Sequence, residues 1–147
     1  MIKFKRNPFE LAVGHPIIGN DSEQFSVGDA VYIDSDGLLA VASTSGKILG
    51  YCIEDVTMAS DNSTVAKVRP QYVYAEGVEV EIDSDQACTQ TDIGAYADLG
   101  TATTGAQVLN LAAGANGQFM VLGFDADDTD KVIVVVAEPQ KLAFAQA

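Results

Sequence analysis

The chain has 147 residues, with 21 Asp and Glu against 8 Lys and Arg and a formal charge of −13. That length suits one ordinary domain, or a domain with an arm, and needs no metal or disulfide to bury a core. The acidic excess disfavours direct binding of nucleic acid through the body, and 48% apolar content excludes a disordered chain.

Charge is uneven along the sequence. Lys3, Lys5 and Arg6 precede the first acid, Glu10, so residues 10–147 hold 5 bases against 21 acids, a net of −16. The leader is a basic tip on an acidic body. Its opening MIKFKR resembles the start of a signal peptide, but Pro8, Glu10, Gly14, His15 and Pro16 interrupt any apolar stretch, so no export signal is expected. The longest unbroken apolar run, Val132 to Ala137, is far too short to cross a bilayer, and a soluble chain without a membrane partner is expected.

Residues 1–25 lack strict periodicity and scatter Phe4, Phe9, Leu11, Val13, Ile17 and Ile18 at irregular spacing. They read as an extended N-terminal arm that docks onto its own domain or a neighbouring copy. Lys3, Phe4, Lys5, Arg6 and Phe9 are its candidate partner- or subunit-binding residues, because cations interleaved with aromatics suit an acidic partner surface.

Residues 26–139 form the expected β domain. Val31 and Ile33 alternate with Tyr32, and Asp36-Gly37 supplies the positive-φ positions of a tight hairpin before Leu39 and Val41. Further strands are predicted at Ile48–Ile53, at Val65–Arg69, ending at Pro70, and around Tyr72 and Tyr74. In Val78-Glu79-Val80-Glu81-Ile82-Asp83 the apolar side chains face a core and the carboxylates face water.

Thr91 or Asp92 can cap a short helix through Ile93, Tyr96 and Leu99, ended by Gly100. Three more strands follow at Gln107–Leu111, Gln118–Phe124 and Lys131–Glu138. The last, Val132-Ile133-Val134-Val135-Val136, is apolar on both faces and is expected to be central or covered by another subunit, with Val132, Val134 and Val136 as a candidate oligomer interface. Residues 140–147 are a short C-terminal tail. The expected fold is mainly β: a compact antiparallel barrel or sandwich of about eight strands with one short helix.

Catalytic signatures are missing from the sequence. His15, the single histidine, lies between Gly14 and Pro16 in the arm, where a turn is the simplest reading. Asp125-Ala126-Asp127-Asp128-Thr129-Asp130 resembles a calcium loop but has no glycine at its sixth position and Val136 where a bidentate Glu belongs, so a hairpin turn explains it better. Cys52 and Cys88 lack metal-type spacing, and no phosphate-cradling glycine motif or nucleophile elbow occurs. The expectation is a non-enzyme without catalytic residues, metal or cofactor. The alternative to a structural role is a carbohydrate-binding module, with Tyr32, Tyr51, Tyr72 and Tyr74 as a stacking platform.

GDAVYIDSDGLLAVAS, KILGYCIEDV, VAKVRPQYVYAEGVEVEI, DIGAYADLG and FMVLGFDADDTDKVIVVVAEPQ together resemble tailed-phage head decoration, or capsid cement, proteins across most of residues 26–139. The resemblance implies a structural virion protein, made in the host cytoplasm, that binds the major capsid protein on the outer capsid surface. It commonly acts as a homotrimer at local three-fold positions and reinforces the head lattice. The resemblance assigns no binding residue one by one.

Overall fold

Apolar side chains at every second position form strands once each finds a neighbour for its backbone N–H and C=O groups. The computed structural model of the chain describes residues 2–6, 13–44, 46–64, 67–101 and 105–137. Among them are β1 (Lys3–Arg6), β2 (Gln24–Phe25), β3 (Ala30–Ile33), β4 (Leu39–Val41), β5 (Gly50–Cys52) and β6 (Val56–Thr57). β7 (Tyr72–Tyr74), β8 (Glu79–Asp83), β9 (Tyr96–Thr101), β10 (Gln107–Asn110), β11 (Phe119–Phe124) and β12 (Lys131–Val136) complete the set. The protein is mainly β, and its strand pairs are antiparallel.

The larger sheet runs β1-β8-β12-β11-β9-β10, and a smaller one runs β4-β3-β5-β7. An isolated parallel bridge between Ser84 and Leu109 draws β10 back toward the end of β8, so the larger sheet curls without closing. Of the two architectures open from sequence, the sandwich-like one is formed. The main core lies between the sheets, where Ala30, Tyr51 and Val73 of the smaller sheet meet Val80, Ile82, Leu99, Phe119, Val132 and Val134 of the larger. A second core, with Phe25, Val31, Leu39, Met58 and Tyr72, fills the other face of the smaller sheet beneath the β2–β6 ribbon.

Two glutamines fasten the sheets. Gln107 on β10 donates to Ala30 O at 3.0 Å and Ala42 O at 2.9 Å and accepts from Ala30 N at 2.8 Å, completing the pairing of β3 from the opposite sheet. Gln118 is fully buried; its Oε1 accepts from Leu99 N at 2.8 Å and its Nε2 donates to Ser43 O at 2.7 Å and to Gly46 O. Such satisfied polar bridges fix the relative position of two layers that apolar contact alone would let slide.

The β3–β4 hairpin forms where Asp36-Gly37 predicts it, with Gly37 at φ 79° and Asp34 Oδ1 accepting from Asp36 N and Leu38 N at 2.9 and 3.0 Å. The acidic segment 125–130 is likewise the β11–β12 turn, closed by Asp125 N to Lys131 O at 2.9 Å.

Other expectations are corrected. The predicted helix over Ile93–Leu99 does not form: Gln90–Asp92 makes one 3₁₀ turn, and Tyr96–Thr101 is strand β9, held between β11 and β10. Ala97 and Leu99 point into the core, so pairing on both sides outweighs a weak local helix signal. No strand forms over Lys67–Arg69, and residues 65 and 66 of that predicted strand lie outside the described residues. There the chain bends around the buried Asn62 side chain, which donates to Gly19 O and Val68 O and accepts from Val68 N. The strand count exceeds the expected eight because the N-terminal region adds β1 and β2, the chain after β5 adds β6, and β9 replaces the predicted helix.

Candidate functional site

The basic leader enters the larger sheet as its outermost strand. β1 pairs antiparallel with β8, placing Lys3 opposite Glu81 and Phe4 opposite Val80. Ile2 is 5% exposed, and the Phe4 ring meets Tyr51 edge-on, with centroids 5.8 Å apart. Gly28, at φ 92°, makes room for this strand, since a Cβ there would lie 2.5 Å from Ile2 O. Lys5 is bound to Glu81 at 2.9 Å, and Lys3 is exposed. Arg6 ends β1, opposite Glu79, and Phe9 lies outside the described residues.

The leader from residue 13 onward is tied in as well. Val13 bridges to Val73 and Gly19 to Leu39, tying it to both edges of the smaller sheet. Glu81 is consequently not on a solvated face: it is 8% exposed, covered by the added strand and paired with a cation brought by it.

The final strand is central, between β8 and β11, as its doubly apolar pattern implies. However, Val132, Val134 and Val136 are only 0, 0 and 2% exposed because the chain's own inter-sheet core takes that face. They cannot serve as an oligomer interface without unfolding. The outward face of β12 carries Ile133 and Val135, both half-buried; Val135 lies opposite Met120, and Met120 opposite the exposed Tyr96. Lys131 at the start of β12 pairs with Asp83, whose carboxyl is held below its ordinary value mainly by that contact.

The four tyrosines do not make a platform. Tyr51 and Tyr72 are 0 and 1% exposed, and Tyr32 and Tyr74 pack against different cores on opposite faces of the smaller sheet. Tyr72 donates to His15 O at 3.1 Å, and Tyr74 Oη accepts from His15 N at 3.3 Å, so His15 serves here through its backbone. Cys52 and Cys88 are buried free thiols, both pushed above the ordinary cysteine value by burial. Among the described residues, no group of three or more His, Cys, Asp and Glu is placed to hold a metal ion.

One open concavity carries partly buried charge. A cleft of about 700 Å³ opens between the 22–29 segment, Val41 and residues 105–107, with Ile2 in its wall. Glu23 and Asp29 line it. Glu23 Oε1 accepts from Val41 N at 3.3 Å, and Asp29 Oδ2 accepts from Ser26 N at 2.8 Å. Burial raises both carboxyls above their ordinary values; these hydrogen bonds oppose the rise, Asp29 and Asp34 add to it at Glu23, and at Asp29 Asp55 adds to it while the terminal amino group opposes it. Among the described residues, no Lys or Arg side chain lines the cleft. Sequence reasoning missed these two acids, since 21 acids make any one of them unremarkable in the linear chain. No protein-family model matches the chain, and no curated protein matches its sequence.

Proposed function

We propose that this protein is a structural virion protein that binds the major capsid protein on the outer surface of a phage head, as a homotrimer, and stabilises the head lattice. The observation that best supports the reading is the integration of the basic leader: as the outermost strand of the larger sheet, it holds exposed Lys3 at the rim of an otherwise acidic molecule. A fixed cation at a sheet edge suits repeated shallow contacts with a lattice, where many weak attachments add by avidity. The acidic exterior keeps a protein made in many copies from adhering to DNA. Ile133, Val135 and Met120, on the outward face of the central strands, are the apolar side chains that trimer contacts would cover.

Heads lacking the protein provide the test, through co-sedimentation with wild-type protein and with Lys3→Glu. Binding that raises the thermal stability of the heads, and weakens several-fold in the variant, supports the proposal. Wild-type protein that leaves occupancy and head stability at background rejects it.

A further inference from the structure

The cleft beside β4 has two kinds of wall. Ile2, Val27 and Val41 supply aliphatic surface, and Val27 is 45% exposed at the cleft wall. Glu23 and Asp29 supply carboxylates that have lost part of their water and recovered one backbone N–H each. Removing charge from water is unfavourable, and a cation entering the cleft would offset that cost, most of all at Glu23, on which no positive charge acts among the described groups. Gln24, Ser22 and Ser26 add neutral polar groups along the same wall.

We infer that this cleft is a binding site for a basic peptide segment, with a lysine or arginine stem lying on Ile2, Val27 and Val41 and its charged head against Glu23 and Asp29. Those side chains are the peptide groups that join a long aliphatic stem to a permanent cation. A cleft of about 700 Å³ holds more than one side chain and falls within the ~300–1,000 Å³ of ordinary ligand sites. Hydrogen bonds from an ammonium or guanidinium to carboxylates are roughly twice as strong as neutral ones, which makes the acids the selective element. The inference rests on the cleft alone and stands or falls independently of the virion reading.

Fluorescence anisotropy with a short labelled Lys-Gly-Lys peptide tests it, with a Glu-Gly-Glu peptide as the negative probe. Glu23→Gln with Asp29→Asn keeps an acceptor for Val41 N and Ser26 N while removing both charges. Asp125→Asn with Asp127→Asn makes the same charge change at the exposed β11–β12 turn. The expected result is at least a tenfold loss of affinity for the basic peptide in the cleft pair, with less than about threefold in the turn pair. Val27→Lys, which tethers an ammonium at the cleft wall, suppresses binding by a similar factor and gives a second reading should the double variant fail to fold. Equal losses in the two pairs, no basic-peptide binding by the wild type, or binding of free spermidine without the peptide would each overturn the inference.

Discussion

Tyr51 is fully buried and its hydroxyl has no hydrogen-bond partner among the described residues. Burial pushes its ionisation far above the ordinary tyrosine value. An unpaired hydroxyl in a core costs about 1–3 kcal/mol, and removing it relieves that cost without changing the ring's packing against Phe4. Tyr51→Phe is therefore expected to raise the unfolding free energy in urea by about 1 kcal/mol. Gln118 is the opposite case, because its side chain serves Leu99 N, Ser43 O and Gly46 O. Gln118→Ala strands Leu99 N on the larger sheet and Gly46 O in the β4–β5 connection and is expected to lower stability by about 2–4 kcal/mol in the same measurement. Nothing in the sequence around Gln118 distinguishes it from an exposed glutamine, since its partners lie 19 residues or more away.

At the scale of elements, β12 separates two jobs that its run of valine and isoleucine leaves merged. Val134 is 0% exposed, so Val134→Ala is expected to cost about 2 kcal/mol of stability through lost burial and a residual cavity. Val135 faces outward and is half-buried; Val135→Asp is expected to cost less stability but to reduce the proposed trimer to monomers in sedimentation equilibrium. An unchanged mass would remove the outward face of β12 from the proposed trimer contact. The leader behaves as an element too: Ile2 and Phe4 pack against the main core, so its removal would unfold part of the sheet as well as remove cations. Point substitution at Lys3 avoids that ambiguity. The hairpin at Asp36-Gly37 was legible because its chemistry is local. Strand β9 was not, because its two neighbours come from segments later in the chain.

For the whole molecule, pH dependence follows from the direction of the carboxyl shifts. Glu23 and Asp29 have raised values in the folded state, so on acidification the fold takes up protons before the unfolded chain does, and stability rises as pH falls from 7 toward ~4. Asp83 is shifted the other way, and its contribution is present above its unfolded value and lost as pH falls through its lowered one. Melting temperature is thus expected to peak in mildly acidic solution. Weaker self-repulsion of a −13 chain adds to the rise, so the comparison that isolates the cleft is Glu23→Gln with Asp29→Asn, in which the rise between pH 7 and pH 5 should flatten.

The sequence by itself determined the β class, the tight turn at Asp36-Gly37, the turn at residues 125–130 and the central place of Val132–Val136, because each depends on periodicity or on conformations that few residues adopt. Only the tertiary structure decided that Lys3–Arg6 is a strand, that Tyr96–Thr101 extends rather than coils, and which face of β12 the chain's own core covers. The same holds for the cleft: Glu23 and Asp29 become distinct from the other acids when Ile2, Val41 and residues 105–107 close around them. Those outcomes depend on contacts between segments far apart in the chain, where pairing and burial outweigh local preference.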